Sequence, residues 1–153
     1  MKRTKWLHLL HDERGASMLE MAAILPLFLL LLFGAVDFGR AYYMAVEVAG
    51  AAHAAAEYGA ENPTDTAGMK TVAQDDAPNV PNLSVGTPTY GCECSDGTAF
   101  NANCTSAPTT CTHNVVYRVS VTVSATYSPL FPWPKIPSSL TLSSTAVMRS
   151  GNS

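Results

Sequence analysis

Charge is scarce in this chain: 14% of its 153 residues are Asp, Glu, Lys or Arg, while 47% are hydrophobic. Soluble globular domains carry about 25% charged residues, so the composition fits a membrane-attached protein with a small, polar-uncharged soluble part. Basic residues are scarcer still beyond position 15, where five stand against ten acidic ones. Nucleic-acid binding needs a basic face, and that balance argues against it. Catalytic signatures are missing as well. No G-x-S-x-G, H-E-x-x-H, P-loop or C-x-x-C run occurs, and the acids are scattered rather than paired, which leaves a membrane-anchored hydrolase or redox protein without support. No catalytic residue, cofactor, metal or small-molecule substrate is expected. Proline is absent from 27–62, so nothing there interrupts a helix.

What the chain does have is one long apolar run. Residues 16–36 carry a single charge, Glu20, and as a helix they span roughly 30 Å, the thickness of a bilayer core. Leucine, isoleucine, phenylalanine and valine each favour insertion by roughly 0.3 to 0.6 kcal/mol, while a mid-membrane carboxylate opposes it by roughly 2.5 to 3.5. The run outweighs Glu20, which lies near one end. Before it stands a leader, 1–15, with Lys2, Arg3, Lys5 and Arg14 against Asp12 and Glu13. Basic flanks stay in the cytoplasm, so a single pass places the carboxyl-terminal part outside the inner membrane. A cleaved secretory signal has a shorter apolar region and a small-residue cleavage site. Here D-F-G-R-A-Y-Y follows instead.

A plain anchor has no use for Glu20. The order of basic leader, glycine, four uncharged residues, glutamate and apolar run resembles the processing site of type IV prepilins. The resemblance implies a cut by a prepilin peptidase between Gly15 and Ala16, with Glu20 as fifth residue of the mature chain. R-G-A-S-M-L-E, L-P-L-F-L-L-L-L-F-G and V-D-F-G-R-A-Y-Y are similar to the TadE-like minor pilins (pseudopilins) of tight-adherence (Tad/Flp) pilus systems. V-V-Y-R-V-S-V-T-V-S-A-T-Y, S-P-L-F-P and the terminal L-S-S-T-A-V-M-R look like that family's carboxyl-terminal half. Met21 departs from the pattern, since the family usually has an aromatic residue there. The implied partners are the inner membrane, the prepilin peptidase and other pilins of a Tad-type system.

Beyond residue 36 the helical pattern continues, rich in alanine. Residues 37–61 are therefore expected to prolong the anchor as one projecting helix. Gly39, Ala45, Ala49, Ala52 and Ala56 would admit a close helix neighbour, with Phe38, Tyr42, Val46 and Val48 as larger contacts. Asp37 and Arg40 suit a boundary at the lipid edge. Pro26 should bend the helix mildly, either as a tolerated membrane proline or as a weak point that lets the helix adjust on leaving the bilayer. In the leader, Trp6, Leu7, Leu9 and Leu10 read as a short interfacial helix, and His8 and His11 receive no role.

Residues 62–153 should form a small ectodomain. Asn62-Pro63-Thr64-Asp65 looks like a helix start, with Asn62 capping and the helix running to Ala77. Leu83 and Val85 sit among prolines, as in a short edge strand. Cys92, Cys94, Cys104 and Cys111 fall in a polar loop, 91–114, that could not build a core alone. Four cysteines outside the cytoplasm favour two disulfides. Cys92 and Cys94 are too close to bridge each other comfortably, so each should pair with Cys104 or Cys111. Zinc is the rival, with His113 nearby, but C-x-C followed by nine and then six residues is not a common finger spacing. Residues 115–127 alternate as a strand with one packed face. P-L-F-P-W-P-K-I-P must be an extended loop, whose Phe131 and Trp133 are expected to pack over the core, with an exposed partner-binding patch as the alternative, and 140–149 returns as a strand.

The fold expected is α+β: a long amino-terminal helix, a second helix, a short antiparallel sheet and a disulfide-stapled loop. The function expected is pilus assembly or initiation for adhesion and surface attachment, in the bacterial inner membrane with the carboxyl-terminal domain periplasmic, or in the extracellular pilus. The alternative is an uncleaved, signal-anchored periplasmic binding protein.

Overall fold

The structure is a computed structural model that describes residues 13–104, 111 and 114–151. The leader residues Trp6, Leu7, His8, Leu9, Leu10 and His11, and also His113, lie outside the described residues. In chain order the elements are helices α1 (Glu13–Glu61) and α2 (Thr66–Asp76), then strands β1 (Ser84–Val85), β2 (Thr89–Cys94), β3 (Val115–Tyr127) and β4 (Leu140–Gly151). The α+β arrangement expected from the sequence is present. α1 is a single helix of 49 residues with Pro26 inside it. It contributes to two compact units, one ending at Gly39 and one beginning at Arg40.

In the first unit the large side chains face outward, from Met18 and Leu19 through Ile24, Leu27, Phe28 and Leu31 to Val36. An outward-facing apolar surface of this length is stable in lipid rather than in water. The helix is long and apolar enough to cross a membrane, with a mean hydropathy of 2.4 in its most apolar stretch and none of that stretch buried.

The second unit is built around β3. This strand alternates, and Val119, Val121, Val123, Ala125 and Tyr127 are buried on one face. β3 is antiparallel to every other strand. It pairs with β4 from Tyr127 opposite Leu140 to Val116 opposite Gly151, and on its other side with β2 and β1. Against the packed face lie Val48, Ala51, Ala52, Ala55 and Ala56 of α1, together with Met69 and Ala73 of α2. The α1 residues recur at three- and four-residue steps, one stripe of the helix. Burial of each valine and methionine side chain contributes about 1.5 to 3 kcal/mol. The alanines add little area but let the helix backbone come close.

That packing divides the small-residue series expected to receive another helix. Ala52 and Ala56 are spent on the domain's own core, as is Val48, while Ala49, Gly39, Phe38, Tyr42 and Val46 remain exposed.

Three further expectations are corrected. α2 is capped by Asp65 and not by Asn62. The Asp65 Oδ1 accepts from the Gly68 backbone N–H at 2.8 Å, and its Oδ2 accepts from the Tyr58 hydroxyl at 2.8 Å. Asn62 instead closes α1, its backbone N–H donating to the Tyr58 carbonyl at 2.9 Å. The 91–114 stretch is not all loop, because Cys92 and Cys94 belong to β2, where residues 91–94 are buried. The proline-rich segment after β3 does not fold over the core as expected. Leu130, Phe131 and Ile136 are exposed and Trp133 is half-buried, and the segment lines a hollow of about 270 Å³ with its own residues.

The cap predicts a pH dependence. The Gly68 N–H and the Tyr58 hydroxyl favour the ionised Asp65, so its pKa lies below the ordinary value. A depressed carboxylate stabilises the fold fully above its unfolded pKa of about 3.9, and the stabilisation is lost as pH falls through the lower folded value. Asp65→Asn should therefore lower the melting temperature at pH 7, and the gap from wild type should shrink below about pH 4. A gap that stays constant from pH 7 to pH 2.5 would show that the carboxylate charge has no part in it.

Candidate functional site: the amino-terminal helix and the cysteine loop

Gly15 and Ala16 lie within α1. Glu20 stands four residues beyond Ala16, exposed, and is the first charge on a surface that is otherwise apolar as far as Asp37. Four residues are close to one helical turn, so Ala16 and Glu20 share a face. Asp37 ends the apolar stretch and is buried at 6% exposure. Arg40 begins the second unit, with its guanidinium 5.7 Å from the centre of the Tyr127 ring, within the range of a cation–π contact.

Within the second unit, residues 95–104 turn back onto β2. A tight turn starts this return, with the Gly97 N–H donating to the Cys94 carbonyl and the Cys94 N–H to the Thr98 carbonyl. Gly97 has φ +86°, a conformation glycine adopts without strain. Cys92 and Asn101 then exchange two backbone hydrogen bonds of 2.8 Å, on the side of β2 opposite to β3. Over Gly91 the approach is too close for any side chain, since a Cβ there would lie 2.5 Å from the Phe100 ring and 2.7 Å from the Asn101 carbonyl oxygen. The Phe100 ring is in turn covered by the Arg118 guanidinium at 5.3 Å.

Cys94 and Cys111 are joined by a disulfide. Cys92 and Cys104 are thiols, so one of the two expected bridges is present. Burial, followed by a hydrogen bond with Cys92, pushes the Cys104 thiol up to about 11. Tyr90 stacks on Tyr117 with ring centres 5.6 Å apart, and burial, then the neighbouring Cys104, pushes its hydroxyl up to about 12. Among the described residues no group of His, Cys, Asp and Glu is arranged to hold a metal ion.

Sequence reasoning missed Glu93. It is buried, 2.6 Å from the Arg149 Nε and 3.6 Å from the Arg118 Nε. Arg118 and Arg149 stand directly opposite each other on β3 and β4, and like charges in that position repel. The Glu93 carboxylate offsets the repulsion and ties β2, β3 and β4 together. Its only sequence signal is position, flanked by two cysteines, which does not reveal distant cationic partners.

Residues 15–57 match the family model described as TadE-like protein. No curated protein and no solved structure matches the chain.

Proposed function

Taking as premise that the amino-terminal segment, 15–57, is that of the TadE-like family, we propose that this protein is a minor pilin, or pseudopilin, acting in assembly or initiation of a Tad-type pilus. The observation that carries the reading is the coincidence of that match with a helix whose apolar surface is fully outward-facing and interrupted near its start by Glu20. The chain enters the inner membrane as a precursor, leader in the cytoplasm and carboxyl-terminal domain in the periplasm, by the charge asymmetry around the span. A prepilin peptidase cuts between Gly15 and Ala16. The new ammonium at Ala16 and the Glu20 carboxylate are then opposite charges on a surface that lipid or other apolar helices cover. A carboxylate in such surroundings is costly unless paired. The amino terminus of a neighbouring subunit supplies the pair and fixes the stagger between subunits. Partners are other pilins of the system, and Pro26 is the place where the helix adjusts on passing from bilayer to filament.

Processing tests the first step. Gly15→Leu should leave the protein in the membrane with its leader attached, and mass spectrometry of the purified protein should give Met1 as amino terminus. The wild type should begin at Ala16. A wild-type chain that keeps residues 1–15 in cells making the pili would favour an uncleaved, signal-anchored envelope protein instead.

A further inference from the structure

We propose that Cys92 and Cys104 close a second disulfide, interleaved in sequence with Cys94–Cys111, and that it pins residues 95–104 along the outer edge of β2. The geometry is that of the returning loop, which carries Cys104 three residues past the partner of Cys92, and the neighbouring Cys92 adds to the burial that raises the Cys104 thiol pKa. The Cys92 Sγ also reaches the Asn101 carbonyl oxygen at 3.5 Å. The paired backbone bonds between Cys92 and Asn101 hold the returning loop beside β2, and the contact of Phe100 and Asn101 with Gly91 fills the space between them. With Cys94 already joined to Cys111, Cys92 and Cys104 are the two cysteines left to pair.

The consequence concerns the sheet edge. β2 pairs with β3 on one side, and an uncovered opposite edge would be open to pairing with another chain. The loop occupies that edge, but polar sequence alone supplies little burial to keep it there. Residues 92–104 and 94–111 cross-linked in overlapping rings cannot lift away without breaking a covalent bond. The chemistry is a thiol–disulfide exchange with a disulfide oxidant of the exporting compartment. The Cys92 thiolate attacks the oxidant and forms a mixed disulfide while one oxidant thiol leaves. The Cys104 thiolate, its proton passing to solvent, then attacks the Cys92 sulfur and releases the second thiol. Two cysteine thiols are oxidised and one oxidant disulfide is reduced. The proposal uses the export in the pilin reading only to supply an oxidant, so oxidised glutathione added to purified protein tests it separately.

In full-length Cys94→Ser/Cys111→Ser protein purified in detergent and reduced, thiols counted by alkylation and intact mass should fall from two to zero on treatment with oxidised glutathione. Two persisting thiols, or two bound glutathiones in place of an internal bridge, would overturn the proposal. The wild type provides a check that does not depend on that variant folding. Cleavage after Glu93 separates Cys92 from Cys94, and electron-transfer fragmentation distinguishes Cys104 from Cys111. The expected links are Cys92 with Cys104 and Cys94 with Cys111, and any other pairing overturns it. Hydrogen exchange at the Cys92 and Asn101 amides should be at least about tenfold slower in oxidised wild type than in Cys92→Ser/Cys104→Ser protein, because ring closure suppresses local opening. Equal rates would refute the pinning of the edge. An intact pairing in protein that nevertheless does not enter pili would leave this inference standing and count against the pilin reading.

Discussion

Glu20→Gln is expected to leave the protein in the membrane at or above its normal level and to reduce its incorporation into pili at least about tenfold, the effect of losing about 1.4 kcal/mol of coupling at each contact. Glutamine keeps the shape and the hydrogen-bonding capacity of Glu20 but removes the charge. Insertion improves because a neutral amide costs less than a carboxylate to bring into lipid. In the proposed assembly, incorporation falls because the ammonium of a neighbouring Ala16 would be left in apolar surroundings without its counter-charge, the expensive half of a broken buried pair. Glu20→Asp keeps the charge with a reach shorter by one methylene, so it should restore part of the lost incorporation. The measurement is pilus yield and co-purification with the major pilin, with membrane level and leader cleavage followed in the same cells. Normal piliation by the glutamine variant in a strain that depends on this protein would remove Glu20 from assembly and favour the simple anchor.

The second large effect belongs to the joint between α1, α2 and β3. Gly59 sits on the buried face of α1, and a Cβ there would lie 2.7 Å from the Val119 Cγ1 and 2.8 Å from the Met69 Cε. Both neighbours are fully buried, so neither has open space to swing into. Alanine is about 1 kcal/mol better than glycine in a helix interior, and on propensity alone Gly59→Ala should stabilise. Overpacking a tight core costs typically about 1 to 3 kcal/mol, and contacts this short place the clash at the upper end, so Gly59→Ala should destabilise on balance. Gly59→Leu should be worse. Met69→Ala alone should cost about 2 to 5 kcal/mol for the cavity. Combined, Gly59→Leu and Met69→Ala should cost less than the sum of the two, since the leucine fills space the methionine leaves. Urea titration of the wild type and the four variants in detergent measures this. A Gly59→Ala protein more stable than wild type, or strictly additive costs, would show that the three elements do not meet at Gly59.

How much of this was legible beforehand varied with the range of the interactions involved. The apolar surface of α1, its length, the position of Glu20 after a glycine and the alternation of β3 are written in consecutive residues, because helix and strand periods and transfer free energies are local properties. The short edge strand at β1 and the return of β4 were readable for the same reason, from prolines that bar a central place and from alternation. The match of 15–57 to the TadE-like family likewise falls on the stretch whose pattern is densest.

What the tertiary structure decided lies where local signals were weak or tied. T-Y-G-C-E-C has little strand character, and it becomes β2 because β3 offers it a ladder of backbone partners. Asn62 and Asp65 are both good caps. Asp65 wins because the Tyr58 hydroxyl, fixed on α1, adds a second hydrogen bond to its carboxylate. The alanines of α1 looked equally fit for a neighbouring helix, and only the position of β3 shows that Ala52 and Ala56 face the domain's own core while Ala49 does not. Glu93 became a meaningful residue only when strand register set Arg118 opposite Arg149. The sequence by itself determined the membrane-length helix, its lone early carboxylate and the alternating strand, all consequences of chain neighbours. Folding alone decided which residues of those elements meet, because contacts between distant positions depend on register and closeness that no local pattern encodes.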